Sequence, residues 1–122
     1  MPSIYENNRY SAEVRRWVDG DTVELHVDLG QGVIANGHYR LYGIDAPETT
    51  LRGDTTQEEK AAGLALKERL NLLWPRGTEV VVSTKKSSGK YGRFLVTIWA
   101  NLEGEEVNVN EWLLSEGWVR LY

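Results

Sequence analysis

The strongest constraint on the fold is a period-two alternation of apolar and polar residues on both sides of Asp19 and Gly20. Residues 10–18 alternate in this way, and residues 23–29 do so again. Because neighbouring side chains of a strand point to opposite faces, each run predicts a half-buried β-strand. Asp-Gly favours a tight turn, so the two runs predict an antiparallel hairpin. The apolar face of its second strand would consist of Val23, Leu25, Val27 and Leu29.

Three further strands are predicted downstream of this hairpin. Residues 30–37 are expected to form a hairpin loop, and residues 39–44 a third strand. This strand ends before Pro47, because proline has no amide hydrogen with which to continue the ladder. Apolar residues then predict a short fourth strand around residues 80–82 and a fifth strand over residues 93–100.

Two helices are predicted between and after these strands. The first begins at Thr55 or Thr56, each of which has a glutamate three residues later and can form a capping box. Apolar residues recur at steps of three and four up to about Trp74, where a Pro-Arg-Gly sequence stops the helix. A second, short helix is expected from Asn108 to Gly117.

The order strand, strand, strand, helix, strand, strand, helix predicts a mainly β fold with helices (α+β), in which five strands close into an OB-fold barrel. With 122 residues, of which 41% are hydrophobic, the chain has the usual size of one domain. We therefore expect a single domain over residues 1–122, with residues 1–9 as an N-terminal extension.

The composition excludes several kinds of site and partner. The chain has no cysteine, which excludes disulfides, thiolate metal sites and a cysteine nucleophile. Its net charge of -4 argues against a protein that coats nucleic acid indiscriminately, since phosphate affinity comes mainly from lysine and arginine. The first residues lack a basic stretch followed by an apolar one, and no run is long enough to cross a bilayer. We expect no membrane association, and a cytoplasmic location unless a leader has been removed.

Basic residues are concentrated in one stretch despite the acidic total. Between positions 83 and 93 the chain has no acidic residue and four basic ones, namely Lys85, Lys86, Lys90 and Arg93. A solvated loop would explain such a run by itself. The continuity of this run with the sequence Lys90-Tyr-Gly-Arg93 favours instead a surface that faces phosphate.

Three short sequences place the carboxylates of Asp21, Asp45 and Glu48 and two arginines next to turn-forming residues. They are Asp19-Gly-Asp-Thr22, Tyr39-Arg-Leu-Tyr-Gly-Ile-Asp-Ala-Pro-Glu48 and Lys90-Tyr-Gly-Arg93. Carboxylate oxygens are the ligands that a hard divalent cation requires, and guanidinium groups match the oxygens of a phosphoryl group. Because the three sequences lie at the ends of predicted strands, they can meet in a site suited to metal-assisted attack on a phosphodiester.

The order of these motifs and their amino-acid sequences resemble those of the staphylococcal nuclease (thermonuclease) family over about residues 12–122. Members of that family are OB-fold barrels and usually calcium-dependent endonucleases that cleave DNA and RNA, although some only bind. The resemblance implies Ca²⁺ as the cofactor, a nucleic-acid substrate (DNA and/or RNA, single strands favoured) and 3'-phosphate product ends. The chain is expected to have two helices and to lack the third, C-terminal helix of the family's prototype.

The resemblance also implies a set of metal ligands. Asp21, Asp45 and the backbone carbonyl of Ala46 would hold the ion, and Glu48 would activate or orient the attacking water. Ala46 stands where the prototype has threonine, but a main-chain ligand does not depend on the side chain. Taken singly, Asp21 could merely form a turn and Asp45 merely end a strand. Together with Glu48 they would repel one another unless a cation lay between them.

The two arginines are implied as the groups that bind phosphate. Arg40 and Arg93 would contact the scissile phosphate and stabilise its transition state. The alternative for Arg40 is a side chain that extends outward from the barrel into solvent. Groups expected to position the substrate are Lys90 and Tyr91, from the resemblance, and Lys85 and Lys86, from the basic run.

A second function, from a different class, is a non-catalytic module that binds a nucleic acid or a protein through the face of its barrel. Family members that only bind typically lose the carboxylates or arginines of the site. This chain keeps all five of them, which favours the nuclease.

Overall fold

The computed structural model describes residues 9–47, 56–86 and 94–122. In chain order, the helices and strands of these segments are β1 (Tyr10–Asp19), β2 (Thr22–Gly30), β3 (Val33–Leu41), β4 (Ile44–Asp45), α1 (Gln57–Leu73), β5 (Glu79–Lys86), β6 (Phe94–Leu102), β7 (Glu105–Asn108), α2 (Val109–Ser115) and β8 (Arg120–Leu121).

Five of the strands form a closed barrel. Neighbouring strands are antiparallel in the order β3-β2-β1-β5-β6. The barrel closes where β3 runs parallel to β6, with Arg40 opposite Leu95 and Leu41 opposite Val96. β7 extends the sheet from β6, and β4 pairs with β8 in a separate two-stranded sheet. This architecture confirms the predicted α+β OB-fold barrel with two helices.

The core lies inside the barrel and beneath α1. Alternation along the first hairpin directs Val14, Leu25 and Val27 inward, and all three are buried. α1 contributes Leu66 and Leu70, which are also buried. Since each such side chain stabilises the fold by about 1.5–3 kcal/mol when it is buried, the alternation and the helical stripe together account for much of the driving force.

Tryptophan side chains connect α1 to the sheet. The indole Nε1 of Trp17 donates to the carbonyl of Trp74 at 3.1 Å, and the Nε1 of Trp74 donates to the carbonyl of Asn101 at 2.8 Å. The ring of Trp112, from α2, meets the ring of Trp74 edge-on at 5.5 Å. Each buried indole therefore has a partner for its polar atom, as large aromatic side chains in a core require.

The prediction of a loop over residues 30–37 is wrong. β3 begins at Val33, and a tight turn with Gln31 and Gly32 at positive φ joins it to β2. The first residues of β3 are largely exposed, and Leu29, predicted to share the apolar face, has 47% of its surface exposed. The hairpin therefore extends past the core, where pairing continues without the alternation by which a strand is recognised.

Both predicted helices are confirmed, with their caps. The hydroxyl of Thr56 accepts from the amide of Glu59 at 3.0 Å, so Thr56 rather than Thr55 is the N-cap of α1. The side chain of Asn108 accepts from the amide of Glu111 at 3.1 Å and caps α2.

Among the described residues, no helix is long and apolar enough to cross a membrane. The short strands β4, β7 and β8 were not predicted.

A candidate site of carboxylates and arginines

Asp21 lies in the turn between β1 and β2, with only 7% of its surface exposed. Its Oδ1 accepts from the hydroxyl of Thr22 at 3.1 Å, and its Oδ2 accepts from the amide of Ala46 at 3.0 Å. The second bond joins the β1–β2 turn to the end of β4. Hydrogen bonds to both oxygens fix the orientation of this carboxylate, although neither donor is charged.

Gly20 allows this turn to lie against α1. A Cβ atom at this position would fall 2.2 Å from Cδ2 of Leu66 and 3.0 Å from Cβ of Ala46. No other residue fits without displacing one of these groups, so a glycine is required by close approach. The same packing holds Asp21 and Ala46 next to each other.

Arg40 brings the two predicted aspartates together. It is on β3, directly opposite Thr22 of β2, so its side chain emerges beside the β1–β2 turn. Its Nη2 lies 3.2 Å from Oδ1 of Asp45 and 3.7 Å from Oδ2 of Asp21. The side chain is 27% exposed. Arg40 therefore does not simply extend into solvent, and its guanidinium lies within reach of both Asp21 and Asp45.

A second arginine reaches Asp45 from the other side. β8 pairs with β4 so that Arg120 lies opposite Asp45. The Nε and Nη2 of Arg120 lie 3.4 and 3.3 Å from Oδ2 of Asp45. Tyr122, immediately after β8, places its ring 4.8 Å from the guanidinium carbon of Arg40, a cation–π contact. Sequence reasoning missed both Arg120 and Tyr122.

A cavity of about 330 Å³ opens beside these groups. Its lining includes Asp45, Ala46, Pro47, Glu59, Trp118 and Arg120. A lining that combines apolar residues with a few polar groups is usual for a small-molecule or nucleotide subsite.

Four of the predicted site residues lie outside the described residues: Glu48, Lys90, Tyr91 and Arg93. Lys85 is on β5, with its Nζ 5.2 Å from the ring centroid of Tyr42. Lys86 ends the same strand, and its side chain is outside the described part. Lys85 thus lies near the turn that follows β3, on the side of the barrel that carries Arg40.

The donor atoms at this site suit a hard divalent cation. Two carboxylates, from Asp21 and Asp45, lie within 3.7 Å of one guanidinium nitrogen, and the Ala46 backbone adjoins both. Carboxylate and carbonyl oxygens are the ligands that calcium takes. Within residues 9–47, 56–86 and 94–122, no group of three His, Cys, Asp or Glu side chains is arranged to hold a metal ion.

A separate ionic cluster lies on the outer face of the β2–β3 hairpin. Glu24 accepts from Nε of Arg16 at 2.9 Å and lies 3.3 Å from Nε2 of His38. The hydrogen bond from Arg16, with a contribution from His38, holds the pKa of Glu24 below its ordinary value of 4.5. These contacts stabilise the hairpin surface and do not reach the two aspartates of the candidate site.

Comparison with known proteins agrees with the fold. The sequence model of the family described as "Staphylococcal nuclease homologue" matches residues 38–122, well over half of the chain. Domains of this family and of OB-folds commonly bind nucleic acids or act as nucleases.

Two curated relatives are similar over most of the chain. One is Protein ParB of Escherichia coli, 30% identical over 115 residues, which cover 90% of this chain and 56% of the relative. The other is the uncharacterized protein MJ1439 of Methanocaldococcus jannaschii, 29% identical over 131 residues, which cover 95% of this chain and 61% of the relative. The chain thus spans somewhat over half the length of these relatives. On the extent of the family match, and with the barrel in place, the chain belongs to the staphylococcal nuclease homologue family.

Proposed function

We propose that this protein is a calcium-dependent endonuclease that hydrolyses phosphodiester bonds in DNA and/or RNA and leaves 3'-phosphate ends. The observation that carries the proposal is the convergence of Asp21 and Asp45 on one nitrogen of Arg40, at 3.7 and 3.2 Å. A cluster of two acids and a phosphate-matching cation provides both kinds of group that the reaction needs.

The residues have distinct roles in this proposal. Asp21, Asp45 and the carbonyl of Ala46 hold the ion, and the hydrogen bonds to Asp21 from Thr22 and Ala46 orient that carboxylate beforehand. Calcium, when bound, supplies positive charge that offsets the charge of the phosphate and makes a water more acidic. Glu48 orients this water or accepts its proton.

Arg40 changes partner in this scheme. In the structure it is neutralised by the two aspartates, and a cation between them would free its guanidinium to contact a phosphate oxygen. Arg93 would act on the same phosphate. As the water oxygen bonds to phosphorus and loses a proton to Glu48 or to solvent, the bond from phosphorus to the 5' oxygen breaks. The 5' oxygen takes a proton from solvent and leaves as a hydroxyl group, and the phosphate stays on the 3' side. Lys85, Lys86, Lys90 and Tyr91 would position the flanking nucleotides.

The test is cleavage of end-labelled single-stranded DNA, with single-stranded RNA in parallel, during a calcium titration. Asp21→Asn is expected to lower the rate by about 100-fold or more, because it removes a charged ligand. Asp28→Asn is the matched control, since Asp28 lies on β2, the strand that follows Asp21, is exposed, and accepts only from Gly30 among the described residues. Cleavage that persists in excess EDTA, or an Asp21→Asn variant as active as the control, would contradict the proposal.

A non-catalytic module that binds nucleic acid is the second candidate. It is favoured by one observation: both oxygens of Asp45 are already engaged by arginines, one by Arg40 and the other by Arg120. A site neutralised in this way is compatible with binding alone. DNA binding that is unaffected by calcium and by Glu48→Gln, without turnover under any of several divalent metals, would favour this candidate.

A further inference from the structure

The carboxylate of Asp45 lies between two guanidinium groups. Arg40 contacts its Oδ1 at 3.2 Å, and Arg120 contacts its Oδ2 at 3.3 Å. Asp45 is one of the two aspartates to which the proposed function assigns the metal ion, so any role of Arg120 in metal binding rests on that proposed function. Any divalent cation that takes Oδ2 as a ligand meets the positive charge of Arg120 at the same atom.

The two arginines are held to different degrees. The Arg40 side chain is 27% exposed and also contacts Asp21, the carbonyl of Ile44 and the ring of Tyr122. The Arg120 side chain is 84% exposed, and Oδ2 of Asp45 is its one acceptor among the described residues. Ion pairs at such exposed positions contribute little net free energy. Arg120 can therefore leave Asp45 at little cost in free energy, whereas Arg40 gives up several contacts when it moves.

The position of Arg120 is nevertheless set by the fold. The backbone of β8 pairs with β4, with Arg120 opposite Asp45 and Leu121 opposite Ile44. The amide of Tyr122 donates to the carbonyl of Gly43 at 3.0 Å and continues this pairing. Side chains directly opposite each other on paired strands lie close enough to interact. The guanidinium therefore stays near Asp45 even when it is not bonded to it.

We propose that Arg120 is a built-in counter-ion of Asp45 that a divalent cation must displace, and that Arg120 thereby sets the cation affinity of the site. Without metal, the guanidinium neutralises the carboxylate and limits repulsion between Asp45 and Asp21. With metal, the same charge opposes binding. By linkage, a cation that weakens the Arg120–Asp45 contact has its own binding affinity lowered by that contact to the same extent.

The first test measures calcium binding by isothermal titration calorimetry in low salt, without nucleic acid. Arg120→Gln should lower the calcium Kd by about three- to tenfold, because it removes one positive charge beside the ligand. Arg120→Lys, which keeps the charge, should stay within about twofold of wild type. Arg16→Gln is the matched control, since it also removes an arginine paired with a carboxylate, Glu24, but not at the site. The gain in Arg120→Gln should shrink at high salt, where charges are screened.

The second test observes the guanidinium of Arg120 in the wild-type protein. Its Nε–H donates to Asp45, so the NMR signal of this group should shift and its hydrogen exchange should accelerate when calcium is added. This measurement needs no variant and therefore decides even if Arg120→Gln disturbs the pairing of β8.

The outcomes separate the two proposals. Calcium binding that is no tighter in Arg120→Gln than in Arg16→Gln, or an Arg120 Nε–H signal that saturating calcium leaves unchanged, would overturn this inference alone. Absence of calcium binding in wild type and in every variant would overturn it together with the proposed function.

Discussion

The side-chain amide of Asn110 donates to the backbone carbonyl of Tyr42 at 3.0 Å, although the two residues are 68 positions apart in the chain. The same nitrogen donates to the carbonyl of Val96 at 3.0 Å, and Oδ1 of Asn110 accepts from the amide of Ile98 at 3.1 Å. One buried side chain of α2 thus binds both β6 and the turn between Arg40 and Asp45. This network therefore holds in place the backbone segment that carries Arg40 and Asp45.

Asn110→Ala should lower the free energy of unfolding by about 2–4 kcal/mol, because it removes three hydrogen bonds to backbone groups, two of them buried. Urea unfolding followed by tryptophan fluorescence measures this change. Asn101→Ala is the control: its side chain accepts from Gly104 at an exposed position, so the loss should be below about 1 kcal/mol. Equal midpoints for the two variants would contradict the role of Asn110.

Gly20→Ala should destabilise the protein by about 1–3 kcal/mol, because the added methyl group would overlap Leu66 and press on Ala46. It should also shift the amide resonance of Ala46, which donates to Asp21. Gly37→Ala is the matched control, since the nearest atom to its added Cβ would be Cε2 of Tyr39 at 3.8 Å. Thermal unfolding of both variants checks the prediction, which fails if Gly20→Ala melts at the temperature of Gly37→Ala.

Stability should fall as the pH rises above about 10, in part because of Tyr39. Burial raises the pKa of Tyr39 above its ordinary value of 10.0. The unfolded chain then releases this proton at a lower pH than the folded protein, so the contribution is complete below pH 10 and is lost as the pH rises through the folded pKa. Tyr39→Phe should flatten this part of a curve of unfolding free energy against pH. An unchanged slope in the variant would show that Tyr39 does not contribute.

Thr56→Ala should destabilise the protein by about 1 kcal/mol, because the amide of Glu59 loses the hydroxyl that caps α1. Thr56→Ser keeps an acceptor in place and should remain within a few tenths of a kcal/mol of wild type. Chemical denaturation distinguishes the two. A serine variant as unstable as the alanine variant would mean that the methyl group, rather than the cap, matters at this position.

Sequence reasoning succeeded where a local pattern is sufficient. Alternation identified the first hairpin, and a threonine followed by glutamate at the third position identified the start of α1 near Thr56. The approach of Asp21 to Asp45 was also predictable, because Asp21 directly precedes β2, Asp45 lies shortly after β3, and β2 and β3 are neighbours in the barrel. For these features, the residues that determine the structure are close together in the chain or share one strand order.

Strands that are very short, and strand pairings between residues far apart in the chain, were not predicted from the sequence. β4 and β8 contain two residues each, too few for any periodicity to show, and 75 positions separate Asp45 from Arg120. Nothing local therefore marks Arg120 as a neighbour of the site. The exposed start of β3 failed for a different reason: residues 33–37 pair with β2 without burying an alternating face.

The parallel contact between β3 and β6 is short, and Arg40 is one of its residues. Local opening of the barrel is expected to begin at this pairing, since few backbone hydrogen bonds hold the two strands together. In the sequence, Asp45 follows Arg40 closely. Arg93 comes two positions before Leu95, the β6 residue that lies opposite Arg40. Parting the two strands would move Arg40 away from β6. In the proposed nuclease, closure of the barrel and assembly of the site would therefore depend on the same strand pairing.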